Sequence, residues 1–160
     1  EILKNIRYVI LDADALNSFQ HKTTNLLKYL DKDKLITPHK AEFHRLFPYI
    51  KKSLDNKEKV LKFLKLCRSN ILLKGSKTLI GSNKKIIINS HSSSELAVIG
   101  SGDVLAGIIT SLVGENKMSM LEAASAAAWL HGDIAKKYGK GLISEDLIKG
   151  IPSALKRLKK

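Results

Sequence analysis

Three short apolar runs constrain this chain more than any other feature: Tyr8-Val9-Ile10-Leu11, Lys34-Leu35-Ile36-Thr37 and Asn70-Ile71-Leu72-Leu73. Each is too brief for a helix and each gives way to polar residues or proline, the pattern of a strand covered on both faces. Between them, residues 22–30 and 55–68 carry apolar side chains at helical spacing, and Phe43, Leu46 and Phe47 are spaced to bury one side of a shorter helix. Strands alternating with helices predict a three-layer α/β domain with a mostly parallel sheet. After the third run, Leu79-Ile80-Gly81, a turn near Ser82-Asn83 and Lys84 to Asn89 predict a hairpin at a sheet edge. Ser90 to Glu95 reads as a polar, flexible connection. Then VLAGIITSLV from Val104 predicts a buried helix, and Met118 to Tyr138 a second long one ended by Gly139-Lys140-Gly141. Ser144-Glu145-Asp146 opens a last helix that leads through Pro152 to a lysine-rich tail.

In a parallel sheet, ligands bind where strands end and helices begin, so the junctions hold the candidate site. Gly100-Ser101-Gly102-Asp103 leads directly into the first buried helix. A helix start carries backbone N–H groups without intrahelical partners and a partial positive charge, so a glycine-rich turn there can bring amides against a phosphate. Ser101 or Asp103 could equally be an ordinary N-cap. At the first strand's end, Asp12 reads best as a cap, whereas for Asp14 capping and function both stay open. Thr37 to Glu42 forms a second junction with His39 and Glu42 at its mouth. Lys74-Gly75-Ser76-Lys77-Thr78 forms a third, where glycine allows close backbone approach and hydroxyls can donate to phosphate or ribose. His21, His44 and His131 read as structural.

Composition removes other classes. The 160 residues suit one domain of ordinary size, and 44% hydrophobic with 27% charged residues is a globular profile. The apolar runs fall short of a membrane span and the first residues lack a secretory layout, which predicts a cytoplasmic protein. The single cysteine, Cys67, lies among Val60, Phe63, Leu64 and Leu66 and reads as core. A net charge of +13 raises nucleic acid as a partner. However, the positive residues are nearly all scattered lysines and aromatics are only 6%, so forked phosphate contacts and stacking platforms are scarce. Lys51-Lys52, Lys57 to Lys65 and Lys156 to Lys160 therefore read as solvated helix faces.

The motifs in order, VLDADALN, TPHKAEFHRLF, ILLKGSKTLIG and GSGDVLAGIITSLV followed by EAASAAAWLHG, resemble the carboxyl-terminal part of the ADP-dependent NAD(P)H-hydrate dehydratases of the ribokinase-like superfamily. The resemblance covers nearly the whole chain, residues 1–160, as one partial domain. The family's domain starts well upstream with further strands and a glycine-rich loop, so the chain is expected to be a fragment or one half of a split enzyme. The resemblance implies repair of hydrated NADH or NADPH. ADP phosphorylates the hydrate hydroxyl, loss of phosphate restores the reduced nicotinamide, and AMP remains. It implies that Asp103 accepts the hydroxyl proton while the Gly100, Ser101 and Gly102 amides stabilise the moving phosphoryl group. His39 and Asp103 would touch the substrate, and Lys74, Gly75, Ser76, Lys77, Thr78 and Gly102 the nucleotide, ADP with ATP as the alternative. Glu42 and Asp14 would place Mg2+ through water. The family usually has a Thr-Gly-Asn-Pro-like stretch where this chain has His91-Ser92-Ser93-Ser94, and Pro-Gly where it has Lys40-Ala41. Truncation would expose a sheet edge and apolar surface, predicting a homo-oligomer or an amino-terminal partner fragment. The alternative functions are an ATP-dependent ribokinase-like kinase of a vitamin precursor of the hydroxyethylthiazole or hydroxymethylpyrimidine type, and an inactive remnant or binding module.

Overall fold

The computed structural model describes residues 1–83 and 85–158. Lys84, expected to open the hairpin's second strand, and Lys159 and Lys160 of the tail lie outside the described residues. The three apolar runs form β1 (Val9–Leu11), β2 (Lys34–Ile36) and β3 (Asn70–Leu73), which lie parallel and in chain order. The predicted hairpin supplies β4 (Thr78–Ser82) and β5 (Lys85–Asn89), antiparallel to one another and to β3, with Asn83 at positive φ in the turn. The five-stranded order β1-β2-β3-β4-β5 is thus a parallel half joined to an antiparallel half.

Side chains alternate across the sheet with the period of two that strands impose. Leu35, Leu72 and Ile80 face a core built with α6 (Ser101–Gly114), α7 (Met120–Tyr138) and α8 (Ser144–Leu158). Leu11, Ile36, Ile71, Leu73 and Leu79 face the opposite core, built with α2 (Ala13–Asn17), α3 (Thr23–Leu27), α4 (Lys40–Leu46) and α5 (Asn56–Leu66). A short α1 (Ile2–Asn5) precedes β1. This is the expected three-layer α/β/α arrangement, and in the second core Phe43, Phe47 and Phe63 are fully buried with ring centroids 5.0 and 5.3 Å apart along the series. Each such ring stabilises the fold by roughly 1.5–3 kcal/mol.

Cys67 ends α5 half-buried against this core, where burial pushes its thiol up. Among the lysines of α5, Lys57, Lys62 and Lys65 are exposed as expected, but Lys59 is only 6% exposed. Lys59 stands one turn before Phe63, on the face that α5 buries, so reading the cluster as wholly solvated is corrected at this residue. β1 pairs only with β2 among the described residues, and Ile6 and Tyr8 beside it are about half exposed. The expected open edge is therefore present on this side.

Candidate active site

The carboxyl ends of β1, β2 and β3 and the start of α6 converge on one corner. Lys74 N–H donates to the Pro38 carbonyl at 2.9 Å, and His39 and Lys74 form a parallel bridge, which extends the sheet just past β2 and β3. A cleft of about 830 Å³ opens there, lined by His39, Lys74, Gly75, Ser76 and Thr78 on the sheet side and by Ser92, Ser93, Ser94, Ser101 and Gly102 opposite.

The start of α6 is bare. Gly100 is its N-cap at φ +83°, a left-handed conformation that favours glycine, and a Cβ there would meet Ser144 at 3.0 Å. No side chain caps the helix. The Ser101 hydroxyl donates instead to the Leu96 carbonyl at 2.7 Å, which removes the capping alternative for this residue. Asp103 is exposed in the first turn and makes no hydrogen bond among the described residues. It lies outside the lining of the large cleft, on the helix that delivers Gly102 to it.

Beside this turn sits a pair that sequence reasoning underrated. Lys74 Nζ donates to Asp12 Oδ1 at 2.7 Å, across 62 positions of sequence, with both side chains largely covered. A Cβ on Gly102 would lie 3.1 Å from Asp12 Oδ2 and 3.5 Å from Lys74 Nζ. Asp12 is the N-cap of α2, but its side chain makes no capping bond, so the expectation that it merely caps is corrected. Its carboxylate faces Lys74 because that ammonium and the positive end of α6 are the nearest charges that stabilise it. Asp14 is exposed, within reach of Asn17 Nδ2, and outside the cleft lining.

Glu42 is buried and already engaged. Its Oε2 accepts from His39 N–H at 2.8 Å and Oε1 lies 3.5 Å from His39 Nε2, while His39 Nδ1 accepts from the Ala41 and Glu42 amides. This capping box makes His39 Nδ1 an acceptor, so the neutral ring carries its proton on Nε2. Among the described residues no group of three or more His, Cys, Asp or Glu could hold a metal ion. Glu42 is held in its box with His39, and Asp14 lies outside the cleft lining.

His131, read from sequence as structural, lines the cleft beneath Ser101. Burial lowers its pKa to about 4, with the nearby Lys74 acting in the same direction and a hydrogen bond to the Ser101 backbone opposing them. It is therefore neutral near pH 7, and its Nε2 has no partner among the described residues. No local pattern marks it, since it occupies an ordinary turn of an apolar helix. The expected flexible connection forms part of the same wall and is tied down. His91 N–H donates to Asn89 Oδ1, its ring stacks on Trp129 at 5.0 Å, and its carbonyl leaves no room for a side chain at Gly132. Asp133 holds Lys137 and Arg157 beside it; although burial works to raise its pKa, those hydrogen bonds outweigh burial and hold the carboxyl at about 2.

Comparison with known proteins follows the same outline. Residues 1–153 match the sequence profile of the NAD(P)H-hydrate dehydratase family. An ADP-dependent (S)-NAD(P)H-hydrate dehydratase from Neisseria meningitidis is 42% identical over 132 residues, covering 79% of this chain and 44% of that protein. A ribokinase-like superfamily protein from Enterococcus faecalis superposes with a TM-score of 0.80 at 24% identity, over 98% of this chain and 57% of its own. An ADP/ATP-dependent NAD(P)H-hydrate dehydratase from Bacillus subtilis, co-crystallised with ATP and Mg2+, gives a TM-score of 0.75 at 23% identity, over 97% of this chain and 59% of its own. These likenesses establish a ribokinase-like fold. The chain spans less than half the length of the Neisseria relative.

Proposed function

The chain belongs to the NAD(P)H-hydrate dehydratase family, and from that premise we propose that it carries the nucleotide side of an ADP-dependent site restoring NADH and NADPH from their hydrates. The observation that carries the reading is the uncapped start of α6 beside the Asp12–Lys74 pair, with the Asp103 carboxylate free in the same turn. The amides of Gly100 and Gly102 and the Lys74 ammonium suit the phosphates of ADP, and Gly75, Ser76 and Thr78 suit its approach along the third junction, whereas Lys77 lines the neighbouring cavity. Phosphoryl transfer is chiefly a matter of position and charge stabilisation. Asp103 would accept the hydrate hydroxyl's proton as that oxygen takes the terminal phosphoryl group and AMP leaves. Phosphate then departs from the ring with its C–O bonding pair, a proton leaves the neighbouring ring carbon, and the double bond that forms restores the reduced nicotinamide.

His39, half exposed at the cleft mouth, would touch the hydrated dinucleotide with the open face of its ring, since Nδ1 caps α4 and Nε2 lies beside Glu42. Magnesium, when bound, shields phosphate charge. Asp12 offers it a carboxylate beside Lys74, with phosphates and water filling most of its shell; Glu42 is engaged in its box with His39 and Asp14 stands outside the cleft lining. Asp103 outside the lining of the large cleft and β1 with an open edge agree with a substrate side completed by chain beyond these residues, an amino-terminal portion or a second copy. The family match favours the dehydratase over a vitamin-precursor kinase.

The test supplies hydrated NADH and ADP to the chain, alone and within the longest protein that contains it. Return of the reduced-nicotinamide absorbance with stoichiometric AMP is expected. ATP-dependent phosphorylation of a hydroxyethylthiazole without any such return would replace the dehydratase by the kinase.

A further inference from the structure

A second, smaller cavity of about 440 Å³ lies on the far side of the Lys74 to Thr78 loop and shares only Ser76 with the large cleft. Four lysines line it, Lys40, Lys57, Lys59 and Lys77, against one carboxylate, Asp55. That carboxylate is engaged, because Asp55 Oδ1 accepts from Glu58 N–H at 2.7 Å, and Glu58 Oε2 accepts from Asp55 N–H in return. Lys59 is the distinctive member. It is only 6% exposed, and its side chain has no hydrogen-bond or ion-pair partner among the described residues. The neighbouring His44 carries no compensating charge, and its own pKa is lowered by burial and then by Lys59 and Lys52.

Like charges gathered around one cavity without a free counter-charge repel one another, and a largely covered lysine among them raises that cost. Nothing in the packing of α5 requires it: the helix buries Val60 and Phe63 on the same face, and a leucine or methionine would fill the position without penalty. What relieves such a site is an anion, and a phosphate group matches both the charge and the several donors that converge there. We infer that this lysine-lined cavity is a second phosphate site, separate from the anion turn of α6 and independent of the reaction proposed above. The apolar residues Leu54, Leu79 and Ile88 in its wall suit a phosphate carried on an organic group.

Inorganic pyrophosphate titrated into protein saturated with AMP, followed by backbone amide NMR shifts, tests the site. Saturation with AMP fills the large cleft, so shifts at Asn56 to Lys59 and Ser76 to Lys77 that leave Gly100 to Asp103 unmoved are expected. Lys59→Met, which keeps the apolar stem, should weaken pyrophosphate binding by about tenfold or more and leave AMP affinity unchanged. Lys57→Ser, on the exposed side of the helix, should weaken it about threefold and keeps the test decisive if Lys59→Met fails to fold. NADP+ in place of pyrophosphate separates the two sources. The same shifts with NADP+ assign the site to a phosphate of the dinucleotide, and their absence with NADP+ but not pyrophosphate assigns it to a free phosphate compound. No shift at Asn56 to Lys59 in the AMP-saturated protein, or equal pyrophosphate affinity in wild type and both variants, would overturn the inference. AMP binding, read in the same samples, reports separately on the large cleft.

Discussion

The four helices α4 to α7 divide three to one at their starts, while the short α1, α2 and α3 also carry no side-chain cap. His39 with Glu42 at α4, Asp55 with Glu58 at α5 and Ser119 with Glu122 at α7 each close a capping box, so side chains satisfy amides that the helix leaves unpaired. The start of α6 has no such cap, although Ser101 and Asp103 stand where they could supply one. Ser101 turns back to Leu96 and Asp103 stays in solvent. A cap is worth about 1 kcal/mol, so the molecule forgoes that much stability at the start that presents Ser101 and Gly102 to the large cleft. Local stability and a vacant anion turn compete for the same amides.

Asp103→Asn should lower dehydratase activity about 10³-fold with an unchanged thermal midpoint, because the carboxylate supports nothing in the fold; activity near wild type would remove Asp103 from the chemistry. Next in size is the pH response of the turn's support. His131 has a folded pKa of about 4 against an ordinary 6.5, so between those values the unfolded chain binds a proton that the folded one refuses. Stability should therefore be fully present above about pH 6.5 and fall by roughly 3 kcal/mol as pH drops to about 4. Asp133, held at about 2, adds its loss only below its ordinary value of 3.8. Urea midpoints measured across pH for wild type and His131→Gln check this, and an identical pH slope in both would exclude His131 as the source.

Gly102→Ala places a methyl group against Asp12 and Lys74. The KM for ADP should rise about tenfold while the melting temperature holds or increases, since alanine favours a helix more than glycine does. A fall in stability with ADP affinity intact would mean that the turn is structural. The smallest effect belongs to a capped start: Ser119→Ala should cost about 1 kcal/mol in a chemical melt and leave ADP affinity untouched.

The glycine-flanked turn, the Lys74 to Thr78 loop and His39 were legible because each sits where an apolar run meets a helical one; Ser101, Gly102, Lys74, Gly75, Ser76, Thr78 and His39 line one cleft, whereas Lys77 lines the other cavity and Asp103 neither. Asp12 was legible only as a cap, since nothing within a few residues announces a lysine 62 positions away. Glu42 was visible as an acid at a junction, but the box it forms with His39 occupies both of its oxygens. His131 carried no signal at all.

By itself the sequence determined where strands and helices lie, which faces they bury and which turn could receive a phosphate, because periodicity, caps and glycine conformations act within a few residues. It took packing across the layers to pair Asp12 with Lys74, to hold His131 neutral beneath Ser101 and to cover most of Lys59 without giving it a counter-charge. Those outcomes depend on how far a charge lies from water and from its partner, and distances across a sheet are set by the packing of whole layers rather than by spacing along the chain.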